Sequence, residues 1–378
     1  MRRAPWVIAL ACACGTSSDA PPMPSPVRAP EPPPAQVDAG SAGSAMSKAA
    51  ISNAALDHMH RVRDAFDRAV ADPANRGSGW TPVDVGGGSN AELYGLYADG
   101  SDLLAVGADA LIVRSRDGGA TWTHSDATAF AGAPLLSEVA GAGDRRYAIS
   151  PGSVVGVSAD RGATWTLATI VTHGVAAAPA GLFAAGSDVY VVEPGHLDAS
   201  HDRGATWAPE LMLPAADDPM QGLHGVAGTP DGHRLFAYGQ IAGKPFVATR
   251  TADAWHPSRA ALPADGATLT AFAVAPDGTQ IATLRDARAA TMWLGGDRAW
   301  TPQPRPFAGA PGPWWVAPDG AIYAAVTDVA TASLQVSRDR GHTWTHELPF
   351  APRAMAFTNT SVFAVGYRGT VWSRKSTR

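Results

Sequence analysis

The octapeptide SRDGGATW at residues 115–122 decides the fold, because close copies of it return along the chain. SADRGATW at 158–165, SHDRGATW at 200–207 and SRDRGHTW at 337–344 share its pattern, S-x-D-x-G-x-T-W. Seven tryptophans, 42 to 48 residues apart, end these copies and three degraded ones: Trp80, Trp122, Trp165, Trp207, Trp255, Trp300 and Trp344. A period between about 20 and 50 residues is typical of solenoids and propellers.

Each residue of the octapeptide suits a tight turn followed by a strand. The Asp side chain accepts hydrogen bonds from nearby backbone N–H groups, and Gly adopts backbone conformations that other residues resist. Trp covers a large apolar surface between neighbouring sheets. The pattern therefore predicts a hairpin turn that is repeated for structural reasons.

This pattern resembles the Asp-box repeat of bacterial neuraminidases, over residues 79–374. The resemblance implies that each box is the turn between the third and fourth strands of a propeller blade, away from the usual ligand face. It assigns a structural role to the following residues: Asp117, Trp122, Asp160, Trp165, Asp202, Trp207, Asp339 and Trp344.

The sequence ahead of each box supplies the remaining strands of a blade. Apolar strand patterns at 272–275 and 281–284 are separated by the turn signal Pro276-Asp277-Gly278, and Pro318-Asp319-Gly320 repeats this arrangement. With the box hairpin this makes four strands per period, which is typical of a β-propeller.

The two ends of the repeat region complement one another. The last unit has strand patterns at 354–357, 362–365 and 370–373 and then ends without a box, whereas residues 80–83 look like a fourth strand alone. We therefore predict an all-β, seven-bladed propeller over 79–374, whose ring is closed by the N-terminal strand and hides exposed strand edges.

Residues 1–14 are predicted to be an export signal. Met1-Arg2-Arg3 is followed by an apolar run too short to span a bilayer, and small residues then precede a cysteine. The segment resembles a bacterial lipoprotein signal, in which Cys14, or alternatively Cys12, would be lipidated. An ordinary cleaved secretory signal is the alternative. The expected location is the bacterial cell envelope, as an outer-membrane lipoprotein, or outside the cell.

Two further segments precede the propeller. Residues 15–45, rich in Pro, Ser and Ala, are predicted to be a disordered linker, because such a segment cannot bury a core. Residues 46–73 carry one apolar stripe at helical spacing and are predicted to form an amphipathic helix that packs on the domain or binds a partner.

Composition excludes several classes of function. The net charge is −5 at pH 7, so nucleic acid is not an expected partner. Both cysteines lie in the predicted signal, which leaves the folded part without disulfide or thiol chemistry. No cofactor motif and no metal-ligand spacing is present, and we expect a monomer without cofactor or metal.

Candidate binding residues lie at the beginnings of the first strands, on the face opposite the boxes. On a seven-bladed ring they would surround the mouth of the central channel: Glu92, Glu138, His173, His224, Trp314 and Arg353. Solvated strand ends are the alternative interpretation. No catalytic residue is predicted, since neither the Arg-Ile-Pro segment of sialidases nor a defensible carboxylate pair is present.

The repeats also resemble seven-bladed photosystem II stability and assembly factor-like proteins and sortilin-type domains, which bind proteins. This resemblance implies an exported, non-enzymatic scaffold that binds a protein or glycan and meets the membrane only through a lipid anchor. The alternative is a carbohydrate-active hydrolase of the cell envelope, similar to a sialidase.

Overall fold

The computed structural model describes a defined part of the chain. The described residues are 64, 67–68, 71–72, 74, 79–85, 92–151, 154–168, 170, 181–193, 195–213, 221–251, 254–258, 260–262, 266–287, 289–296, 298–304, 307, 309–327 and 332–376. The predicted signal and linker lie outside them. Of the predicted helix at 46–73, Asp64, Asp67, Arg68 and Ala71 are described and have helical backbone. No helix among the described residues is long and apolar enough to cross a bilayer.

The described strands form seven four-stranded antiparallel sheets, which confirms the predicted seven-bladed propeller. The first strand, β1, spans Thr81–Asp84. Blades 1 to 3 then follow as β2 Leu93–Asp99, β3 Asp102–Gly107, β4 Ile112–Ser115, β5 Thr123–His124, β6 Glu138–Ala142, β7 Arg145–Ser150, β8 Val154–Ser158, β9 Thr166–Ala168, β10 Gly181–Ala185, β11 Asp188–Glu193, β12 His196–Ser200 and β13 Ala208–Met212.

The second half of the ring continues in the same order. Blades 4 to 6 are β14 Gly222–Gly228, β15 Leu235–Ile241, β16 Lys244–Thr251, β17 Ala254–Pro257, β18 Thr268–Val274, β19 Gln280–Arg285, β20 Ala290–Gly295, β21 Trp300–Pro302, β22 Ala310–Val316, β23 Ile322–Thr327, β24 Ala332–Ser337 and β25 Thr345–Leu348. The last three strands are β26 Ala354–Phe357, β27 Ser361–Val365 and β28 Thr370–Lys375. A short 3₁₀ helix, Thr128–Phe130, lies between blades 1 and 2.

Blade 7 is a composite of the two ends of the propeller. Its strand order is β1-β28-β27-β26, and the register runs from Thr81 opposite Ser373 to Asp84 opposite Thr370. The N-terminal strand thus closes the ring, as predicted. Without it, the unpaired backbone groups of β28 would form an exposed edge.

The hydrophobic core is divided among the seams between neighbouring blades. Blades 7 and 1 share one cluster, in which Phe363 and Val371 pack with Leu93 and Leu103. The seam of blades 2 and 3 has two smaller clusters, and each of the other seams has one. Because both faces of a sheet are covered, the second strands are buried almost throughout, as the burial of β3 shows. This is why their sequences are continuous apolar runs rather than alternating ones.

The four complete box turns join the third strand of a blade to the fourth and share one hydrogen-bond network. In each, the Ser Oγ donates to Asp Oδ1 over 2.7–2.8 Å and accepts the Gly N–H over 2.7–2.8 Å. The Asp carboxylate also accepts the backbone N–H and the hydroxyl of the Thr, over 2.8–2.9 Å and 2.5–2.7 Å. These bonds hold the pKa of all four Asp residues at about 2.

The residue before each box glycine adopts a left-handed backbone conformation, with φ of 71° at Gly118 and 59–61° at Arg161, Arg203 and Arg340. Such a φ is unfavourable for arginine. Each of these arginines also reaches an aspartate of the preceding blade: Asp102 at 3.1 Å, Asp144 at 3.6 Å and Asp277 at 3.7 Å respectively. The box turns therefore form ion pairs across three seams at the rim.

Two seams contain the same four-residue cluster, which we call the seam tetrad. At the seam of blades 6 and 7, Trp80 Nε1 donates to Glu347 Oε2 over 2.9 Å, and the guanidinium of Arg374 bonds both Glu347 and the hydroxyl of Tyr323.

The second tetrad lies between blades 3 and 4. Trp255 Nε1 donates to Glu210 Oε2 over 3.0 Å, Arg250 forms two 3.0 Å bonds to the same carboxylate, and Trp255 packs edge-on against Tyr190. In both cases the glutamate follows a box tryptophan by three residues, at Trp207 and Trp344.

Candidate functional site

The first strands of the blades surround a central cavity of about 440 Å³, which we call the channel cavity. Successive first strands contact one another from β26 through β2, β6, β10, β14 and β18 to β22. Because neighbouring strands are antiparallel, the beginnings of the first strands and the box turns lie at opposite ends of each blade. The cavity lies at the beginnings of β2, β6 and β26 and extends farther along β18 and β22.

Bulges in the first strands direct side chains into the channel cavity. The register of the first and second strands shifts between Leu93 and Gly95, Leu223 and Gly225, Leu269 and Ala271, and Pro311 and Trp314. The extra residues are Tyr94, His224, Thr270 and the pair Gly312-Pro313, of which Tyr94, Thr270 and Pro313 line the cavity. A bulge bends the strand and re-aims a side chain, and bulges are frequent beside functional sites.

Glu138, the first residue of β6, supplies a carboxyl group to the cavity wall. Its Oε2 accepts the backbone N–H of Leu182 in the next blade over 2.8 Å. Although part of the side chain is exposed to the cavity, protein surrounds the carboxyl group, and this burial raises its pKa to about 7. Glu138 therefore changes its charge near neutral pH.

Tyr238 reaches the cavity from the second strand of blade 4. A side chain at Gly225, its partner across the ladder, would collide with the phenol, since a Cβ there would lie 2.3 Å from the Tyr238 Oη. The ring stacks on Phe272 with centroids 5.0 Å apart. Burial, together with the nearby charge of Glu138, raises the pKa of Tyr238. The phenol thus stays protonated and available as a hydrogen-bond donor at neutral pH.

Arg353 lines the cavity from the seam of blades 7 and 1. Its guanidinium is 3.7 Å from Glu92 Oε2 and 5.5 Å from the ring centres of Tyr94 and Tyr367. The Tyr94 hydroxyl donates to Glu92 Oε2 over 2.7 Å, and burial with this bond raises the pKa of Tyr94 to about 12. The charge of Arg353 is therefore balanced within this cluster.

The two adjacent tryptophans of blade 6 differ in environment. Trp314 is buried between blades 5 and 6, where its Nε1 donates to Thr283 Oγ1 over 2.7 Å and its ring contacts Trp344. Trp315 is partly exposed and packs against the core at the seam of blades 6 and 7. Both residues line the cavity, but the indole of Trp314 is used by the core.

The structure brings only some of the predicted binding residues together. Glu138, Trp314 and Arg353 line the channel cavity, and Glu92 contacts Arg353. His224 lies at its bulge with Nδ1 3.2 Å from the carbonyl oxygen of Leu269. His173 lies outside the described residues.

Sequence reasoning did not identify Tyr94 and Tyr238. A sequence signal for Tyr94 was present. In both blade 1 and blade 4 a glycine follows a larger polar residue near the start of the first strand, as Tyr94-Gly95 and His224-Gly225. A glycine inside a strand often marks a bulge. Tyr238 had no such signal, since it belongs to a second strand and enters the cavity only over Gly225.

A second charged cluster lies in blade 3, away from the cavity. His196 Nε2 is 3.1 Å from Asp198 Oδ2 and 3.3 Å from Glu193 Oε2, and all three residues are buried. The hydrogen bond to Asp198 raises the pKa of His196, which then balances part of the carboxylate charge. The part of the chain that the structure describes contains no group of three or more His, Cys, Asp or Glu residues able to hold a metal ion.

Comparison with known proteins places the chain among β-propellers. No protein-family model and no curated protein sequence matches it. A structure of YCF48 bound to a D1 peptide is 16% identical, with a TM-score of 0.62, and the match covers 79% of this chain and 97% of the other.

Two enzymes have a similar fold. A catalytically inactive virginiamycin B lyase from Staphylococcus aureus, with quinupristin, is 10% identical over 79% of this chain and 99% of the other, with a TM-score of 0.63. The GH74 xyloglucanase of Xanthomonas campestris is 17% identical, with a TM-score of 0.57, over 78% of this chain and 54% of that enzyme. At these identities the similarity shows the fold alone.

Proposed function

We propose that this chain is a non-enzymatic scaffold of the bacterial cell envelope that binds another protein through the face around the channel cavity. Its export signal would deliver it across the membrane, and lipidation of Cys14 or Cys12 would anchor it, with residues 15–45 as a spacer. This role resembles that of an assembly factor.

The observation that carries the proposal is the channel cavity with its wall of Tyr94, Tyr238, Trp315, Glu138 and Arg353. A concave site with aromatic surface and a few fixed polar groups suits the insertion of a side chain or segment of a partner. The likeness to YCF48, solved with a D1 peptide, supports protein binding by a propeller of this size.

The alternative, a carbohydrate-active hydrolase, is favoured by the aromatic wall and by the likeness to a xyloglucanase. Most glycosidases use two carboxyl groups, about 5–10 Å apart, on either side of the scissile bond. The described lining of the cavity supplies one, Glu138. The scaffold proposal is preferred because a single carboxyl group suits binding better than hydrolysis.

Site-specific photocrosslinking in cells that make the full chain tests the proposal. Replacing Trp315 with p-benzoylphenylalanine puts the crosslinker at the cavity, and replacing exposed Ala120 puts it in a box turn on the opposite face. We expect a discrete protein adduct from position 315 and none from position 120.

The purified full chain is assayed in parallel against aryl glycosides, including sialosides. Turnover that is lost in the Glu138→Gln variant, without an adduct specific to position 315, would contradict the scaffold proposal and establish the hydrolase. Adducts of equal yield from both positions would also contradict it.

A further inference from the structure

The channel cavity contains a carboxyl group whose charge no described side chain balances. Among the described residues, Glu138 accepts one hydrogen bond, from the Leu182 N–H, and no cation alters the pKa of its carboxyl group. A carboxylate in such surroundings is stabilised strongly by a cation that enters with a ligand.

Arg353, the other charged residue of the described lining, does not balance the charge of Glu138. Arg353 is already paired with Glu92 and lies 5.5 Å from the ring centres of Tyr94 and Tyr367. The charge of Arg353 is therefore neutralised by Glu92 at the seam of blades 7 and 1. The excess charge that remains in the cavity is negative and belongs to Glu138.

Aromatic rings surround the space that such a ligand would enter. Tyr238 lies close enough to Glu138 for the carboxylate to raise the pKa of its phenol, and it is stacked on Phe272. Trp315 and Tyr94 complete the aromatic lining. Ring faces attract cations and also cover methylene groups, so this wall suits an alkyl chain that ends in a positive charge.

The hydrogen-bond geometry favours an ammonium group over a guanidinium. An arginine forms its strongest contact as a planar fork on both oxygens of a carboxylate, and at Glu138 that fork would share one oxygen with the Leu182 N–H. A lysine ammonium is a compact charge with three donors and is satisfied by one oxygen and neighbouring hydroxyls. A quaternary ammonium has no N–H group and cannot donate a hydrogen bond to the remaining lone pairs of the Glu138 carboxylate.

We propose that the channel cavity binds a lysine side chain of the partner protein, with the ammonium group against Glu138 and the methylene groups along Tyr238 and Trp315. This inference rests on the proposed function and names the chemistry that the partner presents. The cavity, at about 440 Å³, has ample volume for one such side chain.

The proposal has a pH signature. Because the pKa of Glu138 is about 7 and a lysine keeps its charge until about pH 10, the carboxylate forms and the affinity rises between pH 6 and pH 8. Above pH 8 the affinity levels off, since both groups are then charged.

The test is a titration of the full chain with Nα-acetyl-lysine methylamide, followed by saturation-transfer NMR. The neutral Nα-acetyl-norleucine methylamide and the acidic Nα-acetyl-glutamate methylamide are matched probes, and tetramethylammonium represents a cation without donors. We expect the lysine probe to bind at least about ten-fold more tightly than the other three, because it alone forms a charge-assisted hydrogen bond.

Two variants that each remove one negative charge show whether binding of the lysine probe depends on Glu138. Glu138→Gln keeps an acceptor for the Leu182 N–H but removes the charge, and is expected to weaken binding of the lysine probe about ten-fold and abolish its pH dependence. Asp99→Asn changes an exposed residue at the other end of β2 and is expected to leave binding unchanged. Thermal unfolding of both variants checks that the fold is kept.

An unchanged affinity in Glu138→Gln, or equal binding of the glutamate probe or of tetramethylammonium, would overturn the lysine assignment. The crosslink at position 315 separates this failure from failure of the proposed function. An adduct that persists while the lysine probe does not bind leaves protein binding standing and overturns only the lysine chemistry.

Discussion

At the scale of single residues, each box aspartate accepts several hydrogen bonds within its own turn. Each accepts bonds from a Ser hydroxyl, a Thr hydroxyl and a Thr N–H in a turn that also contains left-handed residues. The bonds favour the ionised carboxylate, which explains why the pKa of these groups falls to about 2. The turn is therefore locally determined and loses stabilisation when its aspartate is protonated.

Replacing Asp160 with Ala is expected to lower the free energy of unfolding at pH 7 by about 1 kcal/mol, since several hydrogen bonds are lost at an exposed turn. The effect is measured by urea unfolding. Asp99→Ala, at an exposed position, is the control and is expected to have little effect.

The same variant has a pH signature with a definite sign. The folded-state pKa of Asp160, about 2, lies below the value of about 3.9 in an unfolded chain, so the stabilisation is complete above pH 4 and is lost as the pH falls toward 2. The difference in Tm between the native chain and Asp160→Ala is expected to shrink over that range. A constant difference from pH 5 to pH 2 would contradict the argument.

At the scale of structural elements, the seam tetrads tie one blade to the next. Glu347 and Arg374 are nearly inaccessible to solvent, with side chains 9% and 11% exposed, and Glu347 also holds the indole of Trp80 ahead of β1. Glu210 has the same role toward Trp255 in the interior of the repeat. The two tetrads hold different chain segments, and Glu210 is also in contact with His201, whose Nε2 lies 2.6 Å from its Oε1.

The Glu347→Gln variant is expected to lose about 3 kcal/mol of stability, because Arg374 is left as an uncompensated buried charge. Hydrogen exchange is expected to accelerate in Thr81–Asp84, whose opening does not require the rest of the ring to unfold. Glu210→Gln provides the matched comparison, with faster exchange at Ala254–Pro257 and native exchange in β1. Identical exchange patterns in both variants would show that the tetrads do not act locally.

At the scale of the whole molecule, ring closure depends on one short strand. β1 contributes only four residues, yet it pairs along β28 and completes the seventh sheet. Neighbouring blades share their cores across the seams, so an incomplete blade 7 exposes surface on both of its neighbours. Closure is therefore a property of the ring as a unit.

A chain that begins after Val85 is expected to unfold at a lower temperature and to associate, because β28 then presents an unpaired edge. A chain that begins at Gly79 keeps β1 and Trp80 and is expected to remain monomeric. Size-exclusion chromatography and thermal unfolding compare the two. Equal stability and equal size would mean that β1 is not needed for closure.

The sequence alone determines the number of blades and how the ring is closed. The signals are local, because the box turn at 115–122 and its copies form their hydrogen bonds within eight residues. The regular spacing of the copies gives the number of sheets. The last unit lacks a fourth strand, and residues 80–83 form a fourth strand without the other three. The two ends of the repeat region must therefore pair to make the composite blade. Local turn chemistry and fixed spacing are readable from a single sequence because they do not depend on distant residues.

The candidate site was decided largely by the tertiary structure. Glu138 and Arg353 could be placed near the channel from their position before or at the start of a first strand, but Tyr238 could not. It reaches the cavity only because Gly225 leaves room for its ring. Trp314 lines the cavity, but its indole N–H is bonded to Thr283 of another blade. Side-chain direction at a bulge and the raised pKa of Glu138 depend on packing between strands that are far apart in the chain, and no local pattern encodes that packing.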